Sequence, residues 1–286
     1  MSSPLIVRSV KELRPLVVGW RRNGSVALVP TMGALHAGHI ALVHAARRHA
    51  NRVVVSIFVN PRQFAPTEDF AAYPRDEAAD LAKLAEAGVD AVFAPAVGEI
   101  YPEGFATIVT VGGPAEGLEG SFRPHFFSGV ATVVTKLLLA VLPDIAIFGE
   151  KDYQQLTVIR RMVADLGIPV TIIGEPTVRE PDGLALSSRN AYLSPVERSV
   201  APRLHAALAA AAEQIASGTS PGEALDAAGK ALISAGFRVD YLELRNAATL
   251  APVADPAGEP LRLLVAAWLG RTRLIDNLPV DASGGG

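Results

Sequence analysis

The ten residues Pro30-Thr31-Met32-Gly33-Ala34-Leu35-His36-Ala37-Gly38-His39 decide the fold of this chain. The apolar run Val26 to Val29 before them reads as a buried strand, and the apolar-periodic stretch Ile40 to Ala46 after them reads as a helix. A strand, a glycine-bearing turn and a helix N-terminus make an anion site, because unpaired backbone N–H groups and the helix dipole both point at the turn. His36 and His39 add donors where a phosphate would lie. The same pair also suits a metal, but zinc needs a third and usually a fourth ligand, and no His or Glu is spaced nearby to supply one.

Working outward, Val53–Val59, Ala91–Ala94, Ile145–Phe148 and Val170–Ile173 are further β-branched runs. Helical patterns lie between them at Ile40–Arg48, Arg75–Ala87, Val130–Leu142 and Gln155–Leu166. Strands alternating with helices predict βαβ units and a parallel sheet covered on both faces. Phe105 to Val111 reads as an additional strand, and the Gly- and Pro-rich stretch Gly112 to Pro124 as a loop near the site. The character changes after Glu175. Pro176 to Asn190 reads as loop, and Pro195 to Ala216 and Ser220 to Ala235 read as Ala-rich helices, the second with Ser220 as N-cap and Pro221 at its first position. Val239–Leu244, Leu261–Trp268 and Arg271–Ile275 then read as strands, the last two joined by a hairpin turn at Gly270-Arg271. The expected architecture is α/β: a Rossmann-like parallel-sheet domain over residues 1–175 and a smaller α+β lid domain over 176–286.

Composition narrows the class. The 286 residues are 50% hydrophobic, enough for a sizeable core, and the net charge of −3 with no long basic run argues against nucleic acid as the main partner. The absence of cysteine removes disulfides, thiolate catalysis and cysteine-ligated metals. Met1 to Val10 lacks the apolar core of a signal peptide, and Gly129 to Leu142 is broken by Lys136 before it could span a membrane. A cytoplasmic protein is the expectation, with a disordered tail at Ala282 to Gly286.

Three more polar clusters fall where strands end, the place at which open α/β sheets take ligands. In Phe58-Val59-Asn60-Pro61-Arg62-Gln63-Phe64 the proline ends a strand and Gln63 offers an amide suited to a hydroxylated substrate; Asn-Pro alone is equally a plain turn. In Phe148-Gly149-Glu150-Lys151-Asp152-Tyr153-Gln154-Gln155, Lys151 suits phosphate and Asp152 suits ribose hydroxyls, or the cluster is a solvated helix start. In Leu184-Ala185-Leu186-Ser187-Ser188-Arg189-Asn190, hydroxyls beside a guanidinium suit a polyphosphate, or Ser caps a turn beside a surface arginine. No Ser-His-Asp order, paired-carboxylate pattern, Walker-type loop or Gly-x-Gly-x-x-Gly follows the first strand, so hydride transfer and P-loop hydrolysis are poorly supported.

Taken in order, these motifs resemble the pantothenate synthetase (pantoate–β-alanine ligase) family. The resemblance rests on Thr31 to His39, Phe58 to Phe64, Phe148 to Gln155, Ser187 to Leu193 and Asp240-Tyr241-Leu242-Glu243, and spans nearly the whole chain. The first and the Ser-Ser-Arg motifs also look like the HIGH and KMSKS signatures of a wider nucleotidyltransferase superfamily. The resemblance implies an AMP-forming ligase: ATP and the carboxylate of (R)-pantoate give pantoyl adenylate and pyrophosphate, and β-alanine then releases AMP. It implies catalytic roles for His39 (the proton donor), His36, Lys151 and Arg189. It places ATP against Met32, Gly33, Ala34, Leu35, His36, Ala37, Gly38 and His39, against Gly149, Glu150, Lys151 and Asp152, and against Val178, Leu186, Ser187, Ser188 and Arg189. Gln63 and Gln155 would hold pantoate and β-alanine, with Pro30, Met32 and Phe58 against the geminal methyls. Mg²⁺ would bridge the phosphates mainly through water, Asp80 being a candidate outer contact and the metal's protein ligands otherwise unknown. An in-line attack at the α-phosphate needs preformed positive charge rather than a nucleophile, which assigns His39 to stabilising transition-state charge. A homodimer is expected, with neither nucleic acid nor membrane as partner.

The chain departs from the family pattern at Ala37, where an acidic residue is common, at Leu186, where Met is usual, at the more charged Arg62, and at Arg123-Pro124-His125-Phe126-Phe127-Ser128-Gly129. There the family tends to place His where this chain has Phe126, so a role for His125 does not transfer. The rivals are a nucleotidyltransferase for another acid or a phosphate ester, and an inactive nucleotide-sensing module, against which the intact His36, His39, Lys151 and Arg189 argue.

Overall fold

The run Val26 to Val29 lies inside a six-stranded, wholly parallel sheet. The computed structural model describes residues 3–65, 70–71, 73–253, 256 and 258–280; the expectation about Ala282 to Gly286 falls outside them. The strands of this sheet are β1 (Leu5–Val7), β2 (Val26–Thr31), β3 (Arg52–Ile57), β4 (Ala91–Phe93), β5 (Ile145–Gly149) and β6 (Thr171–Glu175). Between them run α1 (Val10–Arg21), α2 (Ala37–His49), α3 (Glu77–Glu86), α4 (Val97–Ile100), α5 (Glu119–Phe122), α6 (Phe126–Val141) and α7 (Tyr153–Asp165).

Strand order is β1-β4-β3-β2-β5-β6. The chain winds from β2 toward one edge, then restarts on the other side at β5. The carboxyl ends of β2 and β5 therefore flank the switch point where a Rossmann-like sheet opens its ligand crevice. The continuous apolar run of β2 has a simple cause: both of its faces are covered. Val26 and Leu28 pack with α1, α6 and α7, while Ala27 and Val29 pack with α2 and α3. Burying each of the larger side chains fully contributes about 1.5–3 kcal/mol.

A second, antiparallel sheet follows in the order β7 (Arg238–Asn246), β8 (Leu261–Leu269), β9 (Thr272–Val280), with helices α8 (Pro195–Val200), α9 (Arg203–Ala216) and α10 (Pro221–Ser234). Alternation again sorts the faces. Leu261, Leu263, Val265 and Ala267 face α9 and α10, whereas Leu264 and Ala266 face Tyr153 and Leu118 of the first layer. Ser220 caps α10, with Pro221 in its first turn, and Leu269 pairs with Thr272 across a two-residue turn with Gly270 at φ +57°.

Three expectations are corrected. Phe105 to Val111 is not a strand: it has no strand partner among the described residues and lies along α6, where the Val109 N–H donates to Thr132 Oγ1 at 3.0 Å. Gly112 to Pro124 is not all loop, since it contains α5 and a 3₁₀ turn at Gly113–Ala115. Pro195 to Ala216 is two helices, broken at Ala201-Pro202 because Pro202 lacks the N–H that a continuous helix requires. The strand β1 and helix α1 are additions to the expected pattern, although Ser9 and Glu12 form a capping box that a sequence can display.

Candidate active site

A cleft of about 870 Å³ opens at the carboxyl ends of β2 and β5 and is roofed by residues of the second sheet. On its floor, the turn after β2 folds His36 back as the N-cap of α2. His36 Nδ1 accepts the Gly38 N–H at 3.2 Å, and His39 Nδ1 accepts the His36 N–H at 3.3 Å. Gly38 is required here, since a Cβ would stand 2.9 Å from the His36 ring. The two rings lie 4.1 Å apart. Burial, with help from the positive charge of Lys151, lowers the pKa of His36 to about 4; burial, His36 and Lys151 lower that of His39 to about 3. Both imidazoles are therefore neutral near pH 7. Because each Nδ1 accepts a backbone N–H, each hydrogen sits on Nε2. The pair offers neutral N–H dipoles, which corrects the expectation of charge on His39.

The backbone of this turn is not the open anion site that the sequence suggests. Gly33 N–H donates to Thr31 Oγ1 at 3.3 Å, and the N–H groups of Ala34 and Leu35 donate to Asp80 at 2.9 and 2.8 Å. Gly33, Ala34, Leu35 and Ala37 do not line the cleft, whereas Met32, His36, Gly38 and His39 do. Asp80, buried at 2% exposure with both oxygens engaged, is not an outer metal contact.

The loop after β3 carries Gln63 with a fixed polarity. Asn60 Oδ1 accepts the Arg62 N–H at 3.2 Å and the Tyr101 hydroxyl at 2.8 Å, so Asn60 Nδ2 is the donor to the Gly129 carbonyl and to Gln63 Oε1, each at 3.1 Å. Gln63 Oε1 is thereby engaged, and its Nε2 donates one N–H to Met32 Sδ at 2.8 Å, which leaves the second N–H of a residue that lines the cleft. Gln63 presents a donor, suited to a substrate oxygen. The unusual Arg62 does not line the cleft; it stacks on Tyr101 and Phe105, about 5.0 and 4.9 Å from the ring centres. His125 is exposed, while Phe126 lines the cleft with Arg123 stacked over it at 3.9 Å.

The turn after β5 carries Lys151, Asp152 and Gln155 to the cleft wall. It is gripped from the second sheet. Asn277 Nδ2 donates to the carbonyls of Glu150 and Lys151, both at 2.9 Å, and the Glu150 carboxylate meets Arg262 at 3.1 Å instead of lining the cleft. Gln154 is structural: it is buried, accepts the Glu119 N–H at 3.0 Å and donates to the Pro114 carbonyl at 3.0 Å.

Val178, Leu186, Ser187, Ser188 and Arg189 also line the cleft, as does Gly149. Leu186 N–H donates to the Val178 carbonyl at 3.0 Å, closing a short hairpin. Ser188 Oγ donates to the Ala34 carbonyl at 3.2 Å, so its hydroxyl ties this loop to the histidine turn, and Ser187 Oγ caps the Arg189 N–H at 3.3 Å. At the base of the loop Arg179 forms a two-bond ion pair with the buried Asp276, at 2.7 and 2.8 Å. The cleft thus gathers His36, His39, Lys151, Arg189, Gln63 and Gln155, along with Pro30, Met32 and Phe58. Sequence reading missed the supports: Asp80 in its true role, Asn60 as a polariser, Tyr101, Arg262 and Asn277. Asn60 stands within its motif, three residues from Gln63; the others lie 41 to 127 residues from what they hold.

Comparison with known proteins bears on what this cleft does. The family model described as pantoate-beta-alanine ligase matches residues 5–279. The pantothenate synthetase of Rhodopseudomonas palustris (strain HaA2) is 57% identical over 279 residues, covering 97% of this chain and 99% of that protein. The crystal structure of pantothenate synthetase from Thermus thermophilus superposes with a TM-score of 0.91 at 55% identity, covering 96% of this chain and 99% of that one. That of pantoate-beta-alanine ligase from Francisella tularensis, complexed with beta-gamma ATP and beta-alanine, gives a TM-score of 0.82 at 33% identity, covering 99% of this chain and 100% of that one.

Proposed function

The chain belongs to the pantoate-beta-alanine ligase family, and on that premise we propose that its cleft joins (R)-pantoate to β-alanine at the expense of ATP. A pantoate carboxylate oxygen attacks the α-phosphorus, the bond to pyrophosphate breaks, and the amine of β-alanine then displaces AMP from pantoyl adenylate. The observation that carries this reading is the meeting, in one cleft, of a set of N–H donors and cations (His36, His39, Lys151, Arg189) with a pair of amides (Gln63, Gln155). In-line displacement needs no protein nucleophile; it needs donors fixed where charge develops. Lys151 and Arg189 supply positive charge, and the two imidazoles supply Nε2–H donors whose direction the backbone sets. Gln63 gives its second amide N–H to pantoate oxygen, and Gln155 approaches the same substrate. Val178, Leu186 and the backbone at Gly149 wall the nucleotide.

The residues present do not form a cage for Mg²⁺. Among the described residues no group of three or more His, Asp or Glu could hold a metal, and the Asp80 oxygens are committed. Mg²⁺ belongs to this reading only as the companion of ATP's phosphates, and no step is derived through it.

Residues 1–175 and 176–286 are taken as a substrate-binding domain and a smaller lid, supported by their separate apolar clusters. A homodimer in the cytoplasm is part of the same reading. No helix among the described residues is long and apolar enough to cross a membrane. The deciding experiment is ATP–pyrophosphate exchange: it should require pantoate alone, while AMP should appear only when β-alanine is added. Exchange driven equally by unrelated hydroxy acids, or none, overturns the reading. Gln63→Ala should raise the KM for pantoate about 10-fold, the effect of one lost hydrogen bond, and leave that for ATP unchanged.

A further inference from the structure

The turn before His36 is built as an anion cradle, and it already contains an anion. Gly33 at φ +81° and Ala34 at φ +51° place two successive residues in the left-handed region. That geometry turns the N–H groups of Ala34 and Leu35 to one side, forming a backbone nest. Asp80 of α3 fills the nest, Oδ2 accepting from Ala34 at 2.9 Å and Oδ1 from Leu35 at 2.8 Å. A Cβ on Gly33 would stand 3.0 Å from Asp80 Oδ2, so the carboxylate is seated directly against the turn. One helical turn further along α3, Lys83 Nζ donates to the Leu35 carbonyl at 2.6 Å. Both polar groups of Leu35 are thus taken by one face of one helix. Neither Asp80 nor Lys83 lines the cleft.

We infer that Asp80 is a positioning residue for the adenylation step: it is the resident anion of the Gly33–Leu35 turn, and by occupying those amides it leaves the nucleotide's phosphates to the Nε2–H donors of His36 and His39. This rests on the ATP-binding reading proposed above. A turn with its amides already satisfied does not rearrange when a phosphate arrives, which is the condition for donors to act without reorganisation. It also has only one docking face for a phosphate, the imidazole face, because the other is filled by a charge of the same sign.

The test is to empty the cradle and refill it. Asp80→Ala should lower kcat of pantoate-dependent pyrophosphate exchange about 10–100-fold, the scale of a small misplacement of reacting groups. Formate fits the vacated space and accepts both N–H groups, so it should restore kcat in a saturable way. It should also move the Ala34 and Leu35 amide resonances in the same titration. Asp80→Asn fills the space but turns an NH₂ toward one N–H, and should lose kcat without rescue. Wild-type kcat in the Asn variant, or a folded Ala variant whose two amides ignore formate, overturns the inference. If the Ala variant does not fold, kcat and the same amides in the Asn variant decide. The amide readout does not depend on turnover, so an enzyme lacking pantoate-dependent exchange would defeat the functional reading alone.

Discussion

The two turns that line the cleft at the ends of the neighbouring strands β2 and β5 are fixed by different means. The histidine turn is fixed largely from its own side: α3 supplies Asp80 and Lys83, and His36 and His39 cap each other, with Ser188 adding a tie from the loop beyond β6. The Lys151 turn is fixed from the far side, by Asn277 and Arg262 of the second sheet. Hence the neutral donors are held largely from within the parallel-sheet layer, while the backbone of the Lys151 turn is held by the second sheet as well. The second sheet is part of the site's frame as well as its roof.

Removing a donor from either turn breaks the comparison most severely. Lys151→Ala and His39→Ala should each lower the single-turnover rate of adenylate formation about 10²–10³-fold, the scale for one preorganised donor. Unchanged rates in rapid-quench measurements would take both groups out of the mechanism. Next in size, Asn277→Ala frees the carbonyls of Glu150 and Lys151 and strips Arg262 Nε of its 2.8 Å acceptor. It should cost about 1–3 kcal/mol in denaturant unfolding and lower the adenylation rate about 10-fold, with His39 chemistry untouched. Loss of stability without loss of rate would show that the grip on Lys151 is dispensable.

Of the two turns, the histidine turn is the one whose shifted groups titrate in a pH series between 7 and 5. Unfolded imidazoles protonate near pH 6.5, whereas folded His36 and His39 do so only at about 4 and about 3. The unfolded chain therefore binds more protons as pH falls below 6.5, and each histidine removes stability across that window until its folded pKa is passed. His39→Gln should lose less unfolding free energy between pH 7 and pH 5 than the parent chain; parallel curves would refute the neutral assignment. The smallest effect is expected for Leu186→Met, a near-isosteric change on the nucleotide wall that should shift unfolding by less than about 1.5 kcal/mol and leave the KM for ATP unaltered.

Much of this molecule was legible from one sequence because its information is local. The apolar run of β2, the capping at Ser220, the Gly270 turn and the ordered motifs all act over a few residues, so composition and spacing reveal them. The failures share the opposite property. Phe105 to Val111 has strand-like residues, yet strand formation needs a neighbour, which a local pattern does not supply. The turn amides look open to phosphate until Asp80, folded back from α3, takes them.

By itself the sequence determined the alternation of strands and helices, the covered parallel sheet, and the identity of the polar side chains at the switch point. Those follow from side-chain periodicity and turn chemistry, which are short-range. Only the tertiary structure decided which groups reach the cleft and in what state. It neutralised His36 and His39 by burial, turned the Gln63 donor outward through Asn60, diverted Ser188 to the Ala34 carbonyl, and seated Lys151 on Asn277. Charge state and hydrogen-bond polarity depend on every neighbour within a few ångströms, and those neighbours come from across the whole chain.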